Sequence, residues 1–172
     1  FVCTNSPRCF PESDMPPLYT QVQRVAVSTT ESWEDLSKWY WRLCESHLAK
    51  TNAAMASLVS SFRAECGSSR RDLLRRIFKF VSQDIRYMGL TMEDKSPGYA
   101  PHDVDITFNN RYGVCRDKAA LLVALLRMAG FKAFPVLIHA GAKMDEEVPQ
   151  PFFNHAIAAV EEGALHEYIL MD

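Results

Sequence analysis

Long apolar runs are missing from this sequence. No stretch approaches the roughly 18 consecutive apolar residues of a membrane-spanning helix, so no span is expected. Basic excess is missing too. Lys and Arg number 19 against 21 Asp and Glu, a formal net charge of −2, and the clustered positive footprint of a nucleic-acid partner is therefore absent. Internal repeats and low-complexity tracts are lacking, which excludes solenoid arrays. The chain opens FVCT, without an initiating methionine or a signal-like segment, as expected of a mature chain or an excised fragment. It ends at Asp172, directly after an apolar strand-like run, which favours a C-terminally truncated fragment.

Cysteine is scarce and odd in number: residues 3, 9, 44, 66 and 115. At least one thiol therefore has no internal partner. Cys3 and Cys9 enclose the short polar stretch CTNSPRC. It either closes as a disulfide in an oxidising compartment or remains two thiols on a loose terminus. In CESH, Cys44 and His47 stand one helical turn apart, but no second ligand pair has zinc-like spacing. Both also fall on an apolar stripe, so no metal is expected.

The 172 residues suffice for one domain plus an extension. Residues 1–31, rich in Pro, Ser and Thr, read as an extended arm or linker with one strand, QVQRVAVS. Residues 32–172 read as the folded core. Ser32 and Asp35 have capping-box spacing ahead of a helix with Leu36, Trp39, Tyr40, Leu43, Cys44 and His47 inward. A second helix is expected over 52–65. Ser69 and Asp72 cap a third, with Leu73, Leu74, Ile77, Phe78 and Val81 inward and Arg70, Arg71, Arg75, Arg76 and Lys79 on a solvated face. Residues 87–112 read as one long irregular loop, a usual place for binding or catalytic groups. A fourth helix follows in GVCRDKAALLVALLRMAG, with Leu121, Leu122, Leu125 and Met128 inward and Gly130 as its stop. Strand-like runs at 132–139, 153–160 and 165–171 close the chain. Helices followed by strands argue α+β, with an antiparallel sheet packed on the central cysteine-bearing helix.

Cys115 sits where that helix begins. Unpaired N–H groups and the helix dipole favour a thiolate there. Gly113 permits a tight turn before it, and Asp117 can accept first-turn N–H groups. Downstream, His155 begins a strand and Asp172 ends the next. A two-residue Gly163-Ala164 turn would put Glu162 opposite Leu165 and His155 directly opposite Asp172, with Cβ atoms about 5 Å apart. Shifting the turn to Glu162-Gly163 would put His155 opposite Leu170 and leave Asp172 one diagonal step away on the same face. Either register lets the carboxylate orient the imidazole toward a thiol. His47, His102, His139 and His166 lack that combination of thiol and carboxylate candidates.

GVCRDKAALLVALLRMAGFKAFPVL, then FNHAIAAV and a strand ending in Asp, resembles the bacterial transglutaminase-like core of the papain-like cysteine peptidase superfamily. The pieces SWEDLSKWYW and IRYMGL…GYAPHD resemble the segment that leads into that core after a β-rich domain. The resemblance runs from about Ser28 to the end. It implies a papain-like fold and a Cys-His-Asp triad, here Cys115, His155 and Asp172. The position before the cysteine, often acidic in the family, is Val114 here, and relatives usually continue with further strands. The chemistry implied is acyl transfer through a thioester, needing no cofactor. The substrate would be a peptide or protein carrying a carboxamide or peptide bond, and the acceptor water or an amine. The Cys115 N–H is one expected oxyanion donor; Tyr87 and His102 are candidates for a second. The alternative is a catalytically silent binding module on the same fold. The mature-looking start and the Cys3/Cys9 pair suggest an exported protein, periplasmic or extracellular.

Overall fold

The computed structural model describes residues 2, 4–5, 8–16, 18–89, 98–141, 146–163 and 167–172. Cys3 and His166 lie outside the described residues, and with Cys3 goes any Cys3–Cys9 pairing. Three helices come first: α1 (Trp33–Leu48), α2 (Ala53–Cys66) and α3 (Arg70–Asp84). Each begins as its sequence dictates. The side chains of Ser32, Asn52 and Ser69 accept hydrogen bonds from the backbone N–H groups of Asp35, Met55 and Asp72, which satisfies donors that a helix start leaves orphaned.

A two-residue strand β1 (Arg86–Tyr87), helix α4 (Val104–Asn110) and a second short strand β2 (Tyr112–Gly113) follow. Residues 90–97 lie outside the described residues, and the rest of 87–112 is thus less irregular than its sequence suggests. α4 hid because its ends lack ordinary signals. Asp103 stands at the N-cap, yet its carboxylate makes no capping bond; it binds His47 Nδ1 at 2.7 Å instead. The helix stops at Arg111, a non-glycine residue at φ 60, whose guanidinium stacks over Phe108 and Phe80. Residues 21–28 also depart from expectation. Apart from a short 3-10 turn at Leu18–Thr20, no helix or strand precedes α1 among the described residues. Val22, Val25 and Val27 are exposed, and the segment touches the core through loop 146–150, where Ser28 Oγ donates to the Pro149 carbonyl and Gln150 Nε2 to that of Val27.

α5 (Cys115–Met128) is the centre of the molecule. Every residue from Ala119 to Leu126 is buried, so its apolar stripe extends all the way round, as in a helix enclosed by its neighbours. α1, α2 and α3 pack on one side, and strands β3 (Ala133–Ile138) and β4 (His155–Glu162) on another, with β5 (Glu167–Met171) paired beside β4. The sheet is antiparallel in the order β3-β4-β5. Ala133, Ala158, Val160 and Met171 join Leu121, Leu125, Ile77 and Phe62 in one core. Gly130, at φ 85, ends α5 in the left-handed region that a residue with a Cβ adopts reluctantly. The arrangement is α+β, helices followed by an antiparallel sheet on the cysteine-bearing helix. Arg76 and Arg70 are more than solvated charge: they stack on Phe62 and Phe131 at 3.9 and 4.0 Å.

Leu125 has no exposed surface, so Leu125→Ala should cost about 2–5 kcal/mol; urea denaturation followed by circular dichroism checks this.

Candidate active site

Two devices build the start of α5. The first is a short parallel ladder in which Tyr87 pairs with Gly113, extended by bonds from Arg86 N–H to the Arg111 carbonyl at 2.8 Å and from Met88 N–H to that of Gly113 at 3.1 Å. It sets Tyr87 beside the chain two residues before Cys115. The second is Asp117, 3% exposed. Its Oδ2 accepts from Val114 N–H at 3.1 Å, the back-reaching half of a capping box. Its Oδ1 accepts from the His102 backbone N–H at 2.9 Å and lies 3.1 Å from His102 Nδ1. Gly113 is needed for space rather than for a turn. A Cβ there would stand 2.7 Å from Asp117 Cβ and 3.2 Å from Thr107 Cγ2, closer than packed carbons tolerate.

Lys118, one turn beyond Cys115, donates to the carbonyls of Ser82 and Ile85 at 3.3 and 2.7 Å. It thereby ties the end of α3, and β1 after it, to α5. Its burial holds its pKa below the ordinary lysine value. Burial pushes the Tyr87 phenol above its ordinary value, and the adjacent Cys115 adds to the shift.

The sheet supplies the other groups. His155 Nε2 lies 2.7 Å from Asp172 Oδ1, but not in the expected register. Glu162 faces Glu167 and Ala158 faces Met171, so four residues rather than two join the strands, and Asp172 stands level with Ile157. His155 itself pairs with Ile138 of β3. The offset is two residues, an even number, so the pleat keeps His155 and Asp172 on one face. Their contact is diagonal, over a Cβ separation of about 7–8 Å that an imidazole and a carboxylate together span.

The start of β4 is clamped. The Asn154 side chain accepts from Ala140 N–H at 2.7 Å and donates to its carbonyl at 3.0 Å. The Tyr99 hydroxyl donates to the Pro151 carbonyl at 2.6 Å and accepts from Phe153 N–H at 3.3 Å. Neither residue was singled out in the sequence; the asparagine directly before His155 in FNHAI was the available signal.

Cys115, His155, Asp172 and Tyr87 line one cavity of about 220 Å3, with Phe78, Val81 and Leu122 as its apolar wall. His102 is not among its lining residues, being held against Asp117. His47 is paired with Asp103 and has no part in a site with Cys44. Burial pushes the Cys44 thiol pKa up to about 11. Among the described residues no group of three or more His, Cys, Asp and Glu is placed to hold a metal ion, and no helix is long and apolar enough to cross a membrane.

Residues 56–161 match the family model of the transglutaminase-like superfamily, and the chain belongs to that superfamily, whose members include cysteine peptidases and acyltransferases. Two solved structures share the fold. One is a candidate protease from Parabacteroides distasonis, 14% identical, with a TM-score of 0.56 over 77% of this chain and 25% of that one. The other is the periplasmic domain of TgpA from Pseudomonas aeruginosa with ethylmercury bound, 17% identical, with a TM-score of 0.50 over 78% of this chain and 48% of that one. The chain thus spans a quarter to about half the length of these structures. No curated protein matches it.

Gly113→Ala should lower stability by about 1–3 kcal/mol through overpacking against Asp117, and urea denaturation of the variant measures this directly.

Proposed function

We propose that the chain is the catalytic core of a thiol-dependent acyl-transfer enzyme, with Cys115 as nucleophile, His155 as proton carrier and Asp172 as orienter. The observation that carries this is the His155–Asp172 contact of 2.7 Å in the cavity that also holds Cys115. A carboxylate only accepts, so Nε2 of His155 carries the hydrogen it gives to Asp172, and Nδ1 is left to exchange a proton with the thiol.

The chemistry then runs in two halves. The Cys115 thiol gives its proton to His155 Nδ1, and sulfur bonds to the carbonyl carbon of a carboxamide or peptide. The carbonyl π pair moves onto oxygen. As that pair returns, the carbon–nitrogen bond breaks and the leaving amine takes the proton from His155. Water or a second amine attacks the thioester, yields its proton to His155 and expels the thiolate. The first acceptor gives hydrolysis and the second a transferred amide.

The oxygen charge needs donors in place beforehand. The Cys115 N–H, at the first position of α5, has no partner within the helix. The Tyr87 hydroxyl stands against the same residue, and its raised pKa keeps it protonated. We assign these two as the oxyanion donors. His102, committed to Asp117, is left out of that role. The catalytic unit in this reading is residues 32–172, with 1–31 as a lead-in arm. Likeness to a periplasmic domain supports an exported protein acting on a peptide or protein substrate.

Iodoacetamide labelling of each cysteine at pH 7, read by mass spectrometry, tests the reading. Cys115 should label at least about tenfold faster than the half-buried Cys66, and His155→Ala should remove most of that advantage. Equal rates at the two thiols would leave a silent binding module as the better account. With a carboxamide-bearing peptide as substrate, Tyr87→Phe should lower kcat by about 10–100-fold with little change in KM.

A further inference from the structure

We infer that His102 and Asp117 are a positioning pair that sets the first turn of α5 and so aims the Cys115 N–H and thiol. The inference rests on the reading of Cys115 as nucleophile, but on different residues from the triad.

An ionised carboxylate as enclosed as that of Asp117 is costly unless its lone pairs are used. Here both oxygens are used, and in different directions. The bond from Val114 N–H to Oδ2 is local to the helix start. Beside the Arg116 guanidinium, whose Nε lies 3.9 Å away, Oδ1 takes two hydrogen-bond contacts from a segment fifteen residues earlier, and both come from His102. One residue thus grips a single oxygen through its backbone and its ring. Because the carboxylate only accepts, Nδ1 of His102 must carry the hydrogen in this contact, which fixes its tautomer.

The gripped segment is itself immobilised. Pro101 is fully buried, the Asp103 carboxylate binds His47 Nδ1 at 2.7 Å, and Asp105 N–H donates to the Lys50 carbonyl at 3.2 Å. Two consecutive His–Asp contacts therefore run from α1, through residues 101–103, to the third residue of α5. A cap alone would need only the Val114 bond. The extra anchor stops the helix start from pivoting on its own cap, and pivoting would displace the N–H and sulfur together. Misplacement by about 1 Å can cost about 100-fold in rate.

Charge works in the same direction. Asp117 is two residues from Cys115, and its negative charge opposes thiolate formation. Arg116, 3.9 Å from Oδ1, offsets part of that charge, and the His102 donors on the same oxygen draw off more. Removing the His102 ring should both loosen the turn and leave the carboxylate less neutralised, and each effect slows alkylation of Cys115.

The test is the rate of Cys115 alkylation by iodoacetamide between pH 5 and 9 in the full chain, with folding followed by circular dichroism and Tm. His102→Ala should slow labelling at pH 7 by about tenfold and move the midpoint of the rate profile to higher pH. His102→Asn, whose carboxamide N–H can stand where Nδ1 does, should recover the rate to within about threefold. An unchanged rate and midpoint in folded His102→Ala, whatever its Tm, would overturn the inference. Should His102→Ala not fold, His102→Gln replaces it, because its N–H reaches one atom too far; a profile equal to that of His102→Asn would equally overturn it. Wild-type Cys115 labelling no faster than Cys66 would instead overturn the nucleophile reading beneath it.

Discussion

A helix that begins inside a protein brings up to four backbone N–H groups away from water with no partner of their own. The start of α5 is such a place, and much of the structure answers to it. Val114 has no polar side chain to cap the turn; the Asp117 N–H turns instead to the Val114 carbonyl at 3.1 Å, and the Asp117 carboxylate takes the Val114 N–H just ahead of the helix. That carboxylate is then buried, and it demands the donors of His102 in turn. Gly113 must be glycine to let Asp117 lie so close. Tyr87, delivered by the β1–β2 ladder, lines the same cavity as Cys115 at the head of the helix. A constraint on backbone hydrogen bonding thus becomes an arrangement of donors around a thiol, which is what acyl transfer requires.

The sheet answers to a different rule. Side chains on a strand alternate between faces, so the partnership of His155 and Asp172 survives a two-residue shift of register and no odd one. The four-residue connection between β4 and β5 moves the pair from opposite to diagonal, and the contact is still made. What holds the strand against α5 is small, tight packing at Ala133 and Ala158, neither of which has exposed surface. The clamps at Asn154 and Tyr99 then set where β4 begins.

Helix starts were readable wherever a Ser or Asn caps its own turn, as at Ser32 and Ser69, because both partners lie within four residues. α4 was not readable, because the carboxylate that should announce it is used by His47, 56 residues away. The valines of 21–28 read as a strand, yet among the described residues no partner strand pairs with them, and a strand exists only with one. Asp117 could be read as a cap but not as the grip on His102, since that depends on how residues 101–103 cross the helix start.

By itself, the sequence determined the run of three helices, a cysteine-headed helix and then strands, the inward stripe of that central helix, and the candidates Cys115, His155 and Asp172. These follow from periodicity, capping and position along the chain, all of them local properties. Only the tertiary structure decided the register of β4 with β5, the use of Gly113, the separation of Tyr87 from His102, and the gathering of the three candidates around one cavity. Each of those depends on contacts between segments far apart in the chain, and the energy that selects them comes from burying and satisfying groups that no single segment can satisfy alone.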